Sequence, residues 1–181
     1  MGRVRPFLIG ERGTAMKKGN LIAVCSVLLL VVTGYSAGNA NADDFPVYCS
    51  DVNLDTAIRN AINKPSGDLL YSDLQSLTSF KATSLGIEDI DCLQYCTNLE
   101  LLCLTNNEIS NLDPLSELAN LTELRLHGNN VFDLAPLSGL NNLEILALTG
   151  NGITHLEPLS GLLKLTQLDL AGNQPNDLTP L

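Results

Sequence analysis

The chain has 181 residues, and 45% of them are hydrophobic, which suffices for the core of one domain. Aromatic residues make up only 4% and Trp is absent, so the core must be aliphatic. Residues 43–181 contain 5 Lys and Arg against 19 Asp and Glu, a net charge of −14. A surface this acidic repels phosphate backbones, which argues against nucleic acid as a partner.

The first predicted element is a secretory signal peptide over residues 1–42. Lys17 and Lys18 precede an apolar run from Leu21 to Val32, and the small residues that follow end in Ala40-Asn41-Ala42, a cleavage site of the A-x-A form. The alternative is an uncleaved membrane anchor. It is disfavoured because the run of 12 residues falls short of the roughly 20 that a spanning helix needs.

The same segment carries two further expectations. A compact signal begins at Met16, so residues 1–15 are expected to precede the true start. A lipoprotein signal would use Cys25, which is disfavoured because this residue lies inside the apolar run. We therefore predict a chain that is secreted or held at the cell surface and that does not span the membrane after cleavage.

A helical cap is predicted over residues 43–76. Apolar residues recur there at helical spacing: Leu54, Ala57, Ile58, Ala61 and Ile62. Asp51 or Asn53 can cap the helix, and the segment 64–67, Lys-Pro-Ser-Gly, ends it. A second short helix is predicted to begin at Ser72. Such a segment would cover the open apolar end of a repeat array.

Residues 77–181 repeat with a period of 22, giving four and a half to five coils of which the last is incomplete. Four columns are uniform at this period: Leu102, Leu124, Leu146 and Leu168; Leu104, Leu126, Leu148 and Leu170; Asn107, Asn129, Asn151 and Asn173; Pro114, Pro136, Pro158 and Pro180. The period and the L-x-x-L-x-L-x-x-N pattern are those of leucine-rich repeats.

The pattern predicts one short strand per coil. In L-x-L two leucines point inward and the residue between them points outward, and stacked coils join these strands into a parallel sheet. The Asn of each coil follows the strand and is expected to bond buried backbone groups of neighbouring coils, which gives a ladder of Asn107, Asn129, Asn151 and Asn173. The predicted fold is an α/β solenoid.

The repeat resembles that of the internalin-like secreted leucine-rich repeat proteins of bacteria and archaea, and residues 52–80 resemble the helical cap before such repeats. The resemblance implies a right-handed solenoid with a concave parallel sheet that binds proteins. It implies neither enzymatic activity nor a cofactor.

The outward positions of the sheet are the candidates for a binding face, since they vary from coil to coil. The candidates are Leu101, Glu123, Arg125, His127, Ile145 and Asp169. Such variation is also typical of a merely solvated surface. Two other functions stay open: a spacer in a larger surface protein, and a carbohydrate-binding accessory domain. The latter is disfavoured because none of the outward columns contains an aromatic residue.

Four cysteines follow the predicted signal. In an exported protein they are expected to oxidise, and we favour a disulfide from Cys49 to Cys92 over one to Cys96, with Cys103 free. The spacing of Cys92 and Cys96 also suits zinc, which is disfavoured for the same reason. Cys103 and His127 lie on adjacent coils, but an open sheet lacks the pocket that a Cys–His nucleophile needs.

The last coil has no predicted cover. Its apolar residues lack a partner coil: Leu165, Leu168, Leu170, Leu178 and Leu181. We expect either that further sequence follows in a longer protein, or that this open end associates with another chain end to end.

Overall fold

A computed structural model describes residues 44–181, so the predicted signal segment lies outside the described residues. Two helices precede five strands: α1 Val52–Ala61, α2 Tyr71–Gln75, β1 Ser79–Lys81, β2 Leu101–Cys103, β3 Glu123–Arg125, β4 Ile145–Ala147 and β5 Gln167–Asp169. Within residues 44–181, no helix combines the length and the apolar character needed to cross a membrane.

The strands form one parallel sheet in the order β1-β2-β3-β4-β5, which confirms the predicted leucine-rich repeat solenoid. Residues in register are one repeat apart, and the central position of each strand points into the core. These central residues are Phe80, Leu102, Leu124, Leu146 and Leu168. The first four are buried, and Leu168 in the last coil is half-buried, because no coil packs against it in the described residues.

The outer path of each of the first four coils contains a short 3-10 helix instead of an α-helix. These helices span Asp91–Tyr95, Asp113–Leu115, Ala135–Leu137 and Glu157–Leu159. In the last three, Pro occupies one of the first two positions, where its missing N–H costs nothing and its fixed φ favours the turn. Proline thus favours the tight turn on the outer path of these three coils.

The cap contains more than its two helices. Leu54 and Ile58 of α1 are buried and belong to the same hydrophobic core as the coils. The chain before α1 runs back along the start of α2, where an antiparallel bridge joins Pro46 to Leu70. Three aromatic rings pack together where this region contacts the first coil. They are Phe45, Tyr71 and Tyr95, with centroids 5.1 to 6.2 Å apart.

Asp51 joins the cap to the first coil with a single carboxylate. Its Oδ1 accepts hydrogen bonds from the amides of Asn53 and Leu54, which caps α1. Its Oδ2 accepts from the amides of Glu88 and Asp89 in the first coil. Partial burial opposes ionisation, but these four bonds outweigh it, so the pKa of Asp51 lies below its ordinary value of 3.8.

We expect Asp51→Asn to lower the free energy of unfolding by about 1–2 kcal/mol at pH 7. Asparagine still caps α1 through its oxygen, but its amide nitrogen faces the Glu88 and Asp89 amides and accepts nothing. Since the folded pKa is depressed, the contribution of Asp51 is present above pH 3.8 and is lost as the pH falls further. Urea denaturation at pH 7 and pH 3 measures the difference, which should shrink at pH 3.

Asp68→Asn removes an exposed carboxylate outside these contacts and serves as the matched control. A loss of stability that is equal in Asp51→Asn and Asp68→Asn, or that persists unchanged at pH 3, would show that net charge or the side-chain size causes the effect.

Candidate protein-binding surface

Three columns of side chains form the exposed side of the sheet, which we call the sheet face. They are Ser79, Leu101, Glu123, Ile145 and Gln167; Lys81, Cys103, Arg125, Ala147 and Asp169; and Thr83, Thr105, His127, Thr149 and Ala171. All six predicted binding residues lie on this face. Backbone pairing therefore fixes the Cα positions of this array, so little backbone conformational entropy is lost on binding.

An ion pair flanked by apolar side chains occupies the centre of the sheet face. Arg125 Nε donates to the carboxylate of Glu123 two residues earlier on the same strand, and 45% of the Arg125 side chain is exposed. The neighbouring residues in the Glu123 column are Leu101 and Ile145, both half-buried. Arg beside aliphatic groups is a frequent composition at the centre of protein interfaces.

An acidic side chain ends the Arg125 column. The pKa of Asp169 lies below its ordinary value, chiefly because of the Thr149 hydroxyl and the Ala171 amide, with a smaller contribution from His127. The Thr149 hydroxyl is itself buried and makes no hydrogen bond of normal geometry, so it acts on Asp169 as a nearby dipole. Asp169 is therefore negatively charged near pH 7.

The Cys103 thiol lies in a polar setting. Its sulfur is 3.5 Å from the Thr105 hydroxyl and 3.8 Å from the Thr83 hydroxyl, and no hydrogen bond joins it to His127. Partial burial opposes ionisation, but the contacts with Thr105 and Thr83 and the charge of Arg125 prevail, so the pKa of Cys103 lies below 9.0. This thiol has hydroxyl neighbours where a catalytic cysteine has a base.

Within residues 44–181 the free cysteines are Cys96 and Cys103, and they should therefore differ in reactivity. Cys96 is fully buried, and burial raises its pKa to about 12. We expect iodoacetamide at pH 7.5 to alkylate Cys103 in the folded protein at least tenfold faster than Cys96, because the thiolate is the reactive form. Peptide mapping by mass spectrometry measures both rates, and denaturation in urea should make them similar. Equal rates in the folded protein would contradict this account.

The predicted ladder of asparagines holds the turns that follow the strands. Asn107 Nδ2 donates to the carbonyls of Ala82 and Leu104, and its Oδ1 accepts from the amides of Leu85 and Ile87. Asn129, Asn151 and Asn173 repeat this arrangement with one amide donor each. The ladder thereby fixes the strand ends that carry the third column of the sheet face.

A second ladder, which was not predicted from the sequence, precedes the strands. Asn98 donates from Nδ2 to the carbonyl of Gln75 in α2, and Asn120 and Asn142 each donate to a backbone carbonyl of the preceding coil, at 2.8 to 2.9 Å. Lys164 takes the fourth place and donates to the Asn142 amide oxygen at 2.7 Å. This column repeats every 22 residues in the sequence, so the second ladder could have been predicted from it.

Left-handed backbone is required where each strand turns away from the sheet. Gly128 has φ of +61°, and an added Cβ there would lie 2.5 Å from Asn106 Oδ1. Asn106 itself, in the same column, has φ of +56°. Glycine at this column therefore allows close stacking of consecutive turns.

Cys49 and Cys92 form a disulfide, with sulfur atoms 2.08 Å apart, that links the cap to the 3-10 helix of the first coil. Cys96 and Cys103 are free. The pair Cys92 and Cys96 is thus divided between a disulfide and a buried thiol, which does not suit zinc. Among residues 44–181, no group of three or more His, Cys, Asp or Glu side chains is arranged to hold a metal ion.

The parallel sheet, the 22-residue register and the asparagine ladder define a leucine-rich repeat protein. A family model described as leucine-rich repeats in two copies matches residues 97–141. No curated protein matches the chain. Among solved structures, internalin C2 of Listeria monocytogenes is 32% identical with a TM-score of 0.58, and the alignment covers 80% of this chain and 75% of that one. The chain belongs to the internalin-like family of leucine-rich repeat proteins.

Two longer internalins of Listeria monocytogenes are also similar. Internalin F is 28% identical with a TM-score of 0.62, over 72% of this chain and 46% of its own. The functional domain of InlJ, described as including a cysteine ladder, is 31% identical with a TM-score of 0.64, over 68% of this chain and 27% of its own. The chain thus spans less than half the length of either.

Proposed function

We propose that this chain is a non-catalytic recognition module that binds a partner protein through the sheet face, outside the cell or at its surface. The observation that carries the proposal is the centre of that face, where Leu101 and Ile145 flank the exposed Arg125 and its partner Glu123. Family membership supports a role in protein interaction.

Two further observations support the parts of this proposal. The Cys49–Cys92 disulfide suits an oxidising compartment outside the cytoplasm. The three columns of the sheet face contain no aromatic side chain, which disfavours stacking against sugars. A flat array whose only thiol contacts hydroxyl groups also disfavours catalysis.

Arg125→Glu is the test of the proposed surface. We expect this variant to abolish capture of the partner, because it replaces the Arg125–Glu123 ion pair with two neighbouring carboxylates. The leucine core and the melting temperature should stay unchanged. The measurement is a pull-down in which the full-length chain captures proteins from extracts of the surface of cells that the source organism meets. Mass spectrometry then quantifies the captured proteins.

Lys164→Glu is the matched control, since it makes the same charge change at an exposed position outside the sheet face. A partner that binds the wild type and Lys164→Glu but not Arg125→Glu supports the proposal. A partner retained by Arg125→Glu discards this patch.

A structural role is the second candidate, and the exposed end of the solenoid favours it. Leu178 and Leu181 are 61% and 60% exposed, and β5 has a free edge in the described residues. We propose that this end packs against the same end of a second copy. Analytical ultracentrifugation should then show a dimer that Leu178→Lys dissociates, and a monomer at all concentrations would refute the contact.

A further inference from the structure

Cationic side chains are few in this acidic molecule, and most are already engaged. Residues 44–181 contain five, of which Arg59 and Lys64 form ion pairs of 2.6 Å with Asp55 and Asp73 of the cap. Lys164 donates to an asparagine outside the sheet face. Of the other two, Lys81 forms no ion pair among residues 44–181 and Arg125 pairs with Glu123 through Nε alone, and both belong to the central column of the sheet face.

Lys81 and Arg125 keep most of their donors free. Lys81 is exposed, and its ammonium makes no ion pair or hydrogen bond with any described residue. Arg125 uses only Nε for Glu123, which leaves the two terminal nitrogens of its guanidinium without a described partner. Those two nitrogens can bind one carboxylate, and the geometry of such pairs is favourable.

The positions between these two cations offer neutral donors, and the nearest carboxylate on the sheet face, Glu123, is paired with Arg125 Nε. Cys103 lies between them in the same column, with the hydroxyls of Thr83 and Thr105 beside it. Lys81 and Arg125 lie two strands apart, so their column positions are separated by about 10 Å at the usual strand spacing. The surface over β1, β2 and β3 is therefore suited to two anionic groups at that separation.

We infer that the sheet face recognises its partner through two carboxylate side chains about 10 Å apart on one face of the partner protein, one bound by Lys81 and the other by Arg125. This inference rests on the proposed function, which it makes specific. Asp169 lies at the far end of the same column. The negative charge of Asp169 repels the carboxylates of the partner and so restricts them to the surface over β1–β3. The partner is therefore expected to lie toward the cap end of the solenoid.

Two features favour protein carboxylates over a sulfated or phosphorylated polymer. The rest of the molecule is strongly acidic, so a polymer of dense negative charge is repelled beyond the two cations. At physiological ionic strength the Debye length is about 8 Å, so a partner with only two well-placed charges is screened from the acidic residues that lie away from the sheet face.

A rigid peptide of known spacing tests the inference without knowledge of the natural partner. In a polyproline II helix, residues three apart lie on one face about 9.3 Å from each other. We therefore choose a proline peptide containing Asp-Pro-Pro-Asp and a control containing Asn-Pro-Pro-Asn. Titration of each into the full-length chain, followed by amide NMR shifts at 0.15 M salt, should show about tenfold tighter binding of the Asp peptide.

The shifts should map to Lys81, Cys103 and Arg125, and the preference should disappear in the Lys81→Gln, Arg125→Gln double variant. Lys164→Gln should retain the preference, and Asp169→Asn should strengthen it. Equal binding of the two peptides, or shifts that map elsewhere, would overturn the inference. Tighter binding of a heparin fragment at the same residues would also overturn it, in favour of a sulfated glycan.

Failure of the inference and failure of the proposed function give different results. Leu101→Ala and Ile145→Ala remove apolar contact from the sheet face and leave its charges intact. A partner protein lost by these two variants but retained by Lys81→Gln, Arg125→Gln would refute the carboxylate inference and keep the proposed function. A bound Asp peptide with no partner protein sensitive to any of these variants would support the carboxylate site and refute the proposed function.

Discussion

Replacing Asn129 with alanine is expected to lower the free energy of unfolding by about 3 kcal/mol. Asn129 is 6% exposed and accepts a hydrogen bond from the Ile109 amide at 3.1 Å. It also donates to the carbonyls of Leu104 and Leu126 at 3.0 Å each. Alanine leaves the Ile109 N–H buried without an acceptor, and this orphaned donor accounts for most of the expected loss.

The two carbonyls lose less because the ladder shares them. Leu104 O also accepts from Asn107, and Leu126 O also accepts from Asn151, so each keeps one donor after the substitution. Asn129→Asp separates the two functions of the side chain, since it keeps the acceptor for Ile109 and removes both donors. We expect Asn129→Asp to be destabilising at pH 7 and closer to wild type at pH 4, because the buried carboxyl binds a proton that restores one donor.

Chemical denaturation of Asn129→Ala, with the exposed neighbour Asn130→Ala as the control, measures this contribution. Asn130 donates one exposed bond of 3.3 Å to Glu108 O, so its loss should cost less than about 0.5 kcal/mol. Equal stability of the two variants would contradict the assignment of the ladder as a main source of stability between coils.

The sequence was sufficient to predict the core because its period and the coil have the same length. Each inward leucine, such as Leu124, recurs 22 residues later in register with its neighbour, so one column of letters is one column of side chains. For the same reason, Arg125 and His127 can be predicted to lie on the sheet face. The period fixes which residues share a column and which side of the sheet they occupy.

Contacts that do not repeat every 22 residues cannot be predicted from the period of the sequence. The bridge of Pro46 with Leu70 and the packing of Phe45 against Tyr71 each occur once in the described residues, so no repeated column of the sequence predicts them. The pairing of Arg125 with Glu123 depends on which rotamer a long side chain adopts, and several were open to it. The second ladder, by contrast, did repeat, and attention to Asn120 and Asn142 as well as to the strand positions would have found it.

Removal of the Cys49–Cys92 disulfide is expected to produce the largest single loss, about 4 kcal/mol. The cysteines are 43 residues apart, and closing a loop of this length restricts the unfolded chain by that amount in the chain-entropy model. The Cys49→Ala, Cys92→Ala double variant avoids leaving a lone thiol. Thermal unfolding against the wild type measures the loss, and Cys103→Ser, which removes a free thiol, should have little effect.

The loss should fall mainly on the cap, because a coil in a solenoid is stabilised by its immediate neighbours. Without the disulfide, α1 is joined to the first coil mainly by Leu54, Ile58 and the Asp51 carboxylate. We expect amide hydrogen exchange to accelerate in residues 52–61 well before it does in β3 and β4. Loss of protection that is uniform from α1 to β5 would show instead that the cap and the repeats unfold as one unit, in which case the disulfide stabilises the whole solenoid.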